Sequence, residues 1–113
     1  MTLSHSTELM AEDFESQVID TSHNRPVLLD ISAEWCSPCR FLMPILDKLS
    51  HEYQDRFLLA KLDVDEGENM KIAGRFQVRG FPTVIAFVNG EEQARFHGAQ
   101  TEGFVRQFIE DLW

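Results

Sequence analysis

Residues 35–40 read Trp35-Cys36-Ser37-Pro38-Cys39-Arg40 and contain both cysteines of the chain, two residues apart. An apolar run interrupted by one carboxylate, Val27-Leu28-Leu29-Asp30-Ile31, comes just before them, and a helical pattern follows at once. A strand that gives way to a helix, with a cysteine pair at the junction, is a place for thiol chemistry. The first turn of a helix carries partial positive charge and N–H groups that have no partner within the helix. Those groups favour a thiolate over a thiol, so Cys36, at that end, is expected to have a lowered pKa. Cys39, one turn further in, lies close enough to close a small disulfide.

Upstream of the run, Ala11, Phe14, Val18 and Ile19 keep helical spacing and predict a helix over about 12–20, with a short strand over 7–10 before it and a loose start over 1–6. A polar loop over 21–26 ends in Pro26. Val27 to Ile31 is nearly continuous apolar, the pattern of a strand buried on both faces. The helix after the cysteines should run over about 36–52, since Leu42, Ile45, Leu46, Leu49 and Tyr53 share one stripe. Pro44 inside it removes one hydrogen bond and predicts a kink rather than a stop.

Further downstream, 57–64 reads as a strand, 63–68 as a solvated acidic turn, and 68–76 as a short helix. A strong strand covers 83–88. Asn89-Gly90 makes the hairpin turn, because both residues tolerate positive φ, and 93–97 returns antiparallel. Thr101 caps a last helix with Phe104, Val105, Phe108, Ile109 and Leu112 on one side. These positions and Met70 are expected in the core. The order is β-α-β-α-β-α-β-β-α. Its alternating first half argues for parallel strands with crossover helices, and its end for a hairpin and a helix. The fold class is therefore α/β, a mixed central sheet with helices on both faces, in a single domain over 1–113.

Composition narrows the function. Hydrophobic residues are 43% of the 113 and charged residues 26%, as in ordinary globular proteins. The formal net charge of −9 opposes phosphate backbones and anionic membranes, so neither nucleic acid nor membrane is an expected partner. No apolar run approaches the ~20 residues of a membrane span. The first ten residues have no Lys or Arg and no apolar core of a secretory signal, so a cytoplasmic location is expected. In a reducing compartment a lone cysteine pair is catalytic or metal-binding rather than structural. Zinc needs four ligands. His5, His23, His51 and His97 show no ligand spacing with the pair, so no metal is expected.

A CxxC pair beside a β-α-β pattern reads as a redox motif, and from about residue 7 to 113 the chain resembles the thioredoxin family. Ala33-Glu34-Trp35-Cys36-Ser37-Pro38-Cys39-Arg40 stands where that family has its active-site segment, usually with glycine at 37 and lysine at 40. Asp30 stands at the family's buried aspartate, Lys61 at its partner lysine and Pro44 at its helix kink. Gly80-Phe81-Pro82-Thr83 matches the cis-proline loop, and Gly98 a glycine beside the docking surface. The residues from Leu59 to Gly90 also resemble the thioredoxin-like domain at the front of a bacterial redox-chaperone family. Three departures stand out: Ser37; Ser32, where many thioredoxins have tryptophan; and small insertions near 20–25 and 67–74.

The resemblance implies a thioredoxin fold and dithiol–disulfide exchange with protein disulfides. Cys36 would attack a substrate disulfide and Cys39 would resolve the mixed disulfide. Asp30, with a pKa raised by burial, would take the proton of the less exposed Cys39, and Lys61 would moderate that rise. Pro38 restrains the loop. Pro82, if cis, would leave backbone groups of Phe81 and Thr83 open to an extended substrate segment, for which Trp35 and Phe81 offer an apolar surface. No cofactor is bound. Electrons would come from NADPH through a thioredoxin reductase, to a monomer that passes them to disulfide-containing proteins. An oxidase or isomerase of the same fold, and a redox-linked holdase, are the competing readings.

Overall fold

The computed structural model describes residues 5–113. Its strands are β1 (Ser6–Glu8), β2 (Val27–Ser32), β3 (Leu58–Asp63), β4 (Thr83–Val88) and β5 (Glu91–His97), and its α-helices are α1 (Ser37–Tyr53), α2 (Met70–Arg75) and α3 (Glu102–Glu110). The sheet order is β1-β3-β2-β4-β5, with β1, β3 and β2 parallel and β4 and β5 antiparallel. That is the mixed sheet and the element order expected from the sequence. The loose start falls mostly outside the described residues, and Ser6 already belongs to β1.

The two faces of the sheet are read directly from strand alternation. Val27, Leu29 and Ile31 of β2 join Ile85 and Phe87 of β4 under Phe14 and Val18 on one face, with Ile72 and Ala73 of α2. Leu28 of β2 joins Leu59, Val84 and Ala86 on the other, under Leu42, Leu46 and Leu49 of α1 and Val105 and Ile109 of α3. A strand covered on both faces must be apolar at every position, which is why β2 reads as a continuous run. Asp30 has the same parity as Leu28, and Lys61 the same as Leu59. Both therefore face α1.

The segment predicted as one helix over 12–20 is helical but not α. It runs as a 3-10 turn (Ala11–Asp13), a π turn (Glu15–Asp20) and a second 3-10 turn (Thr21–His23). The last turn occupies part of the expected loop and ties it to the hairpin. The Ser22 carbonyl accepts from Asn89 N–H, and its hydroxyl accepts from Gly90 N–H, each at 2.8 Å. The stretch over 67–74 is anchored in the same way. Buried Asn69 accepts from Ala11 N–H at 2.7 Å and donates to the Asp63 carbonyl at 2.8 Å. Helix α1 passes through Pro44 without ending. Pro44 lies on the exposed side of α1, where water can meet the carbonyl it leaves unpaired. Two positions expected in the core are not there: Met70 is 51% exposed and Phe104 45%. Both lie in the first turn of a short helix.

Candidate active site

The C-terminal end of β2 delivers the chain to α1 through Ala33, Glu34 and Trp35. Cys36 is the N-cap, with extended backbone (φ −91°, ψ 110°), and Ser37 and Pro38 open the helix. Proline fits there because the first helical N–H groups have no partner to lose. Cys36 and Cys39 are joined as a disulfide, their Cα atoms 5.2 Å apart. Cys39 N–H donates to the Cys36 sulfur at 3.2 Å. The N-cap role usually filled by a side-chain oxygen is thus filled by sulfur. The two cysteines differ less in exposure than expected, 6% for Cys36 and 4% for Cys39.

The loop before β4 closes over this pair. The Phe81–Pro82 bond is cis, as the motif implied. The Phe81 carbonyl oxygen lies 3.6 Å from the Cys36 sulfur. Gly98, at φ +77°, donates its N–H to the Pro82 carbonyl at 2.8 Å, so the residue matched to the docking surface does meet the proline loop. Thr83 is different. It is fully buried, and its register partners are Ile31 on one side and His97 on the other. Its backbone is therefore interior to the sheet and not open to an incoming strand. The segment that precedes it, Gly80 to Pro82, is the part without a strand on both sides. The Thr83 hydroxyl braces that segment by donating to the Gly80 carbonyl at 2.8 Å.

Trp35 is 66% exposed and meets Phe81 edge-on, with ring centroids 6.1 Å apart. Trp35 is thus the exposed member of an apolar pair beside the disulfide, and Phe81 is half-buried against the core. The indole N–H donates to Asp65 at 2.7 Å. The acidic turn is thus more than a solvated loop, since one of its carboxylates fixes the tryptophan. Alternation and spacing gave no signal for Asp65, which lies 30 residues from Trp35. Arg40 donates to the Glu34 carbonyl at 2.5 Å and to the Ser37 hydroxyl at 3.2 Å, so two of the unusual residues of the motif touch each other.

Asp30 is 1% exposed, and its Oδ1 has no hydrogen-bond partner among the described residues. Burial pushes its carboxyl up to about 7; the Lys61 charge pulls it down and the Asp47 charge pushes it further up. Lys61 is the register partner of Asp30 on β3, yet its ammonium is paired with Asp47 of α1 at 2.7 Å. Ser32, where a tryptophan is usual, lines a cavity of about 340 Å³ together with Cys39, Met43, Lys61 and Asn69. A small side chain leaves space there that a large ring would fill. Among the described residues no three His, Cys, Asp or Glu side chains are grouped to hold a metal ion, and no helix is long and apolar enough to cross a membrane.

A cysteine pair capped by a helix N-terminus, with a buried carboxyl under the same helix, is chemically fit to exchange two electrons with a disulfide. Known proteins agree. The family model described as Thioredoxin matches residues 5–111. The chain is 36% identical over 99 residues to the thioredoxin of Acidithiobacillus ferridurans, covering 88% of each chain. It is 39% identical over 96 residues to that of Rickettsia typhi, covering 85% of this chain and 88% of the relative. With the thioredoxin of Pseudomonas aeruginosa it shares 33% over 106 residues, 94% of each.

Proposed function

The chain belongs to the thioredoxin family and is a protein dithiol–disulfide oxidoreductase, and from that premise we propose that Cys36 attacks, Cys39 resolves and Asp30 accepts the Cys39 proton. The observation that carries this is the Cys36–Cys39 disulfide at the N-terminus of α1, faced by the cis-proline loop. In the reduced protein the Cys36 thiolate attacks one sulfur of a substrate disulfide and forms a mixed disulfide. The displaced substrate sulfur leaves as a thiolate and takes up a proton. Asp30 accepts the proton of Cys39, directly or through a water. The Cys39 thiolate attacks Cys36, restores the intramolecular disulfide and releases the second substrate thiol. Two electrons pass from the protein dithiol to the substrate.

A carboxyl that titrates near 7 is half ionised at neutral pH and can both take and return a proton. The exposed Trp35 and the Gly80–Pro82 segment receive the substrate chain, with Pro38 restraining the loop opposite and Gly98 holding the Pro82 carbonyl. Electrons return to the disulfide from NADPH through a thioredoxin reductase. The protein works as a cytoplasmic monomer on disulfide-containing proteins. The family membership supports the reductase and the clients, and the acidic surface suits neither nucleic acid nor anionic lipid.

The test is insulin reduction with NADPH and a bacterial thioredoxin reductase, beside a Cys36→Ser control. Steady turnover that vanishes in the control is expected. A folded protein that fails to turn over would sink the reductase cycle, and aggregation suppression retained by the double cysteine variant would favour a holdase.

A further inference from the structure

Asp30 and Lys61 are neighbours across β2 and β3 and face the same helix, so an ion pair between the buried carboxyl and the half-buried ammonium is the arrangement to expect. It is not formed. The Lys61 ammonium lies 2.7 Å from Asp47 on α1, and Asp30 keeps an oxygen with no partner among the described residues. Asp47 is placed for this. Cys39, Met43 and Asp47 follow at intervals of four along α1, and Cys39, Met43 and Lys61 share the wall of one cavity. The groups around Asp30 are few. Lys61 comes from β3 and Asp47 from α1, and their charges act on it in opposite senses, while its register partner on β4 is Val84. Helix α3, on the same face, contributes Val105 and Ile109, which carry no charge.

We propose that Asp47 is a positioning residue for the exchange reaction: it holds the Lys61 ammonium against α1 and thereby keeps the buried Asp30 carboxyl free of an ion-pair partner. This rests on the reading of Asp30 as the proton acceptor for Cys39. A carboxylate paired with lysine stays ionised through the neutral range and is a weak base. An unpaired buried carboxyl exchanges its proton near neutrality. Asp47 takes the lysine ammonium and leaves Asp30 in the second condition. Removing the Asp47 charge acts on Asp30 twice in one direction. It deletes a repelling anion, and it frees a cation to approach.

The experiment follows the Asp30 side-chain carboxyl by carbon-detected NMR against pH. It uses the oxidised full chain in four forms: unaltered, Asp47→Asn, Lys61→Met and the double variant. Asp47→Asn should move the Asp30 titration down by about one pH unit. In the Lys61→Met background the same substitution should move it by less than half as much, since there is no ammonium to release. Coincident curves for the unaltered chain and Asp47→Asn would overturn the proposal. So would an equal shift with and without Lys61, because Asp47 would then act by its own charge alone. The pH–rate profile of insulin reduction by Asp30→Asn separates the layers. If it keeps its shape, the reading of Asp30 as proton acceptor fails and this proposal falls with it. If it flattens while Asp47→Asn leaves the Asp30 titration in place, only the role of Asp47 is lost.

Discussion

The backbone N–H of Cys39 points at the sulfur of Cys36 from 3.2 Å, so the helix that begins at Ser37 donates to the sulfur of the residue that caps it. A bond to the charged form lowers a pKa, and the partial positive charge of the helix N-terminus acts in the same sense. The Cys36 thiol of the reduced protein should therefore ionise more readily than a free cysteine. Thiolate ultraviolet absorbance against pH measures it, with Cys39→Ser isolating the one sulfur. A value at or above that of free cysteine would contradict the capping argument. The same variant should accumulate a mixed disulfide with its substrate.

Asp30 makes the fold less stable as pH rises. Its folded carboxyl titrates at about 7 against an ordinary 3.8. Below 3.8 it is protonated in both states and contributes no penalty. Between the two values the unfolded chain releases the proton and the folded one keeps it, so stability falls with rising pH until about 7 and is then level. The full difference is on the order of 4 kcal/mol. Asp30→Asn should be more stable than the unaltered chain at pH 8 by a good part of that, and nearly equal to it at pH 4. Urea unfolding at the two pH values checks both the sign and the window.

Asn69 joins the N-terminal helical segment to the end of β3. Replacing it with alanine removes two half-buried hydrogen bonds and strands the Ala11 N–H, since Asp63 O still receives Glu66 N–H. The cost should be about 2 kcal/mol. Denaturant midpoints measure it, and a loss under ~0.5 kcal/mol would mean that water replaces the amide.

Trp35 should matter in proportion to the size of the substrate. Its ring is exposed and fixed by Phe81 and Asp65. Trp35→Ala should raise KM for insulin several-fold while leaving the rate with a small aromatic disulfide within about twofold. Aromatic side chains at contact surfaces carry much of the binding energy to macromolecules. Equal effects on both substrates would place Trp35 in the chemistry rather than in docking.

Much of this molecule was legible along the chain because its signals are local. The Val27–Ile31 run, the cysteine pair and the Leu42–Leu49 stripe each report one element and the face it buries. Their order predicts the mixed sheet found in the structure. What failed were inferences across distance. Phe104 and Met70 fit helical stripes but stand at exposed positions. Asp65 reads as one acid in a polar turn, and only folding brings it to Trp35.

The sequence by itself determined the fold class, the place of the thiols at a helix start and the burial of Asp30. Each of these follows from hydrophobic period and chain order. The tertiary structure alone decided which charges pair. Asp30 and Lys61 are register neighbours, yet Lys61 turns to Asp47. A register fixes where backbones lie. The position of a long charged side chain is set by the balance of desolvation and competing partners in three dimensions, and that balance is written in no single stretch of the chain.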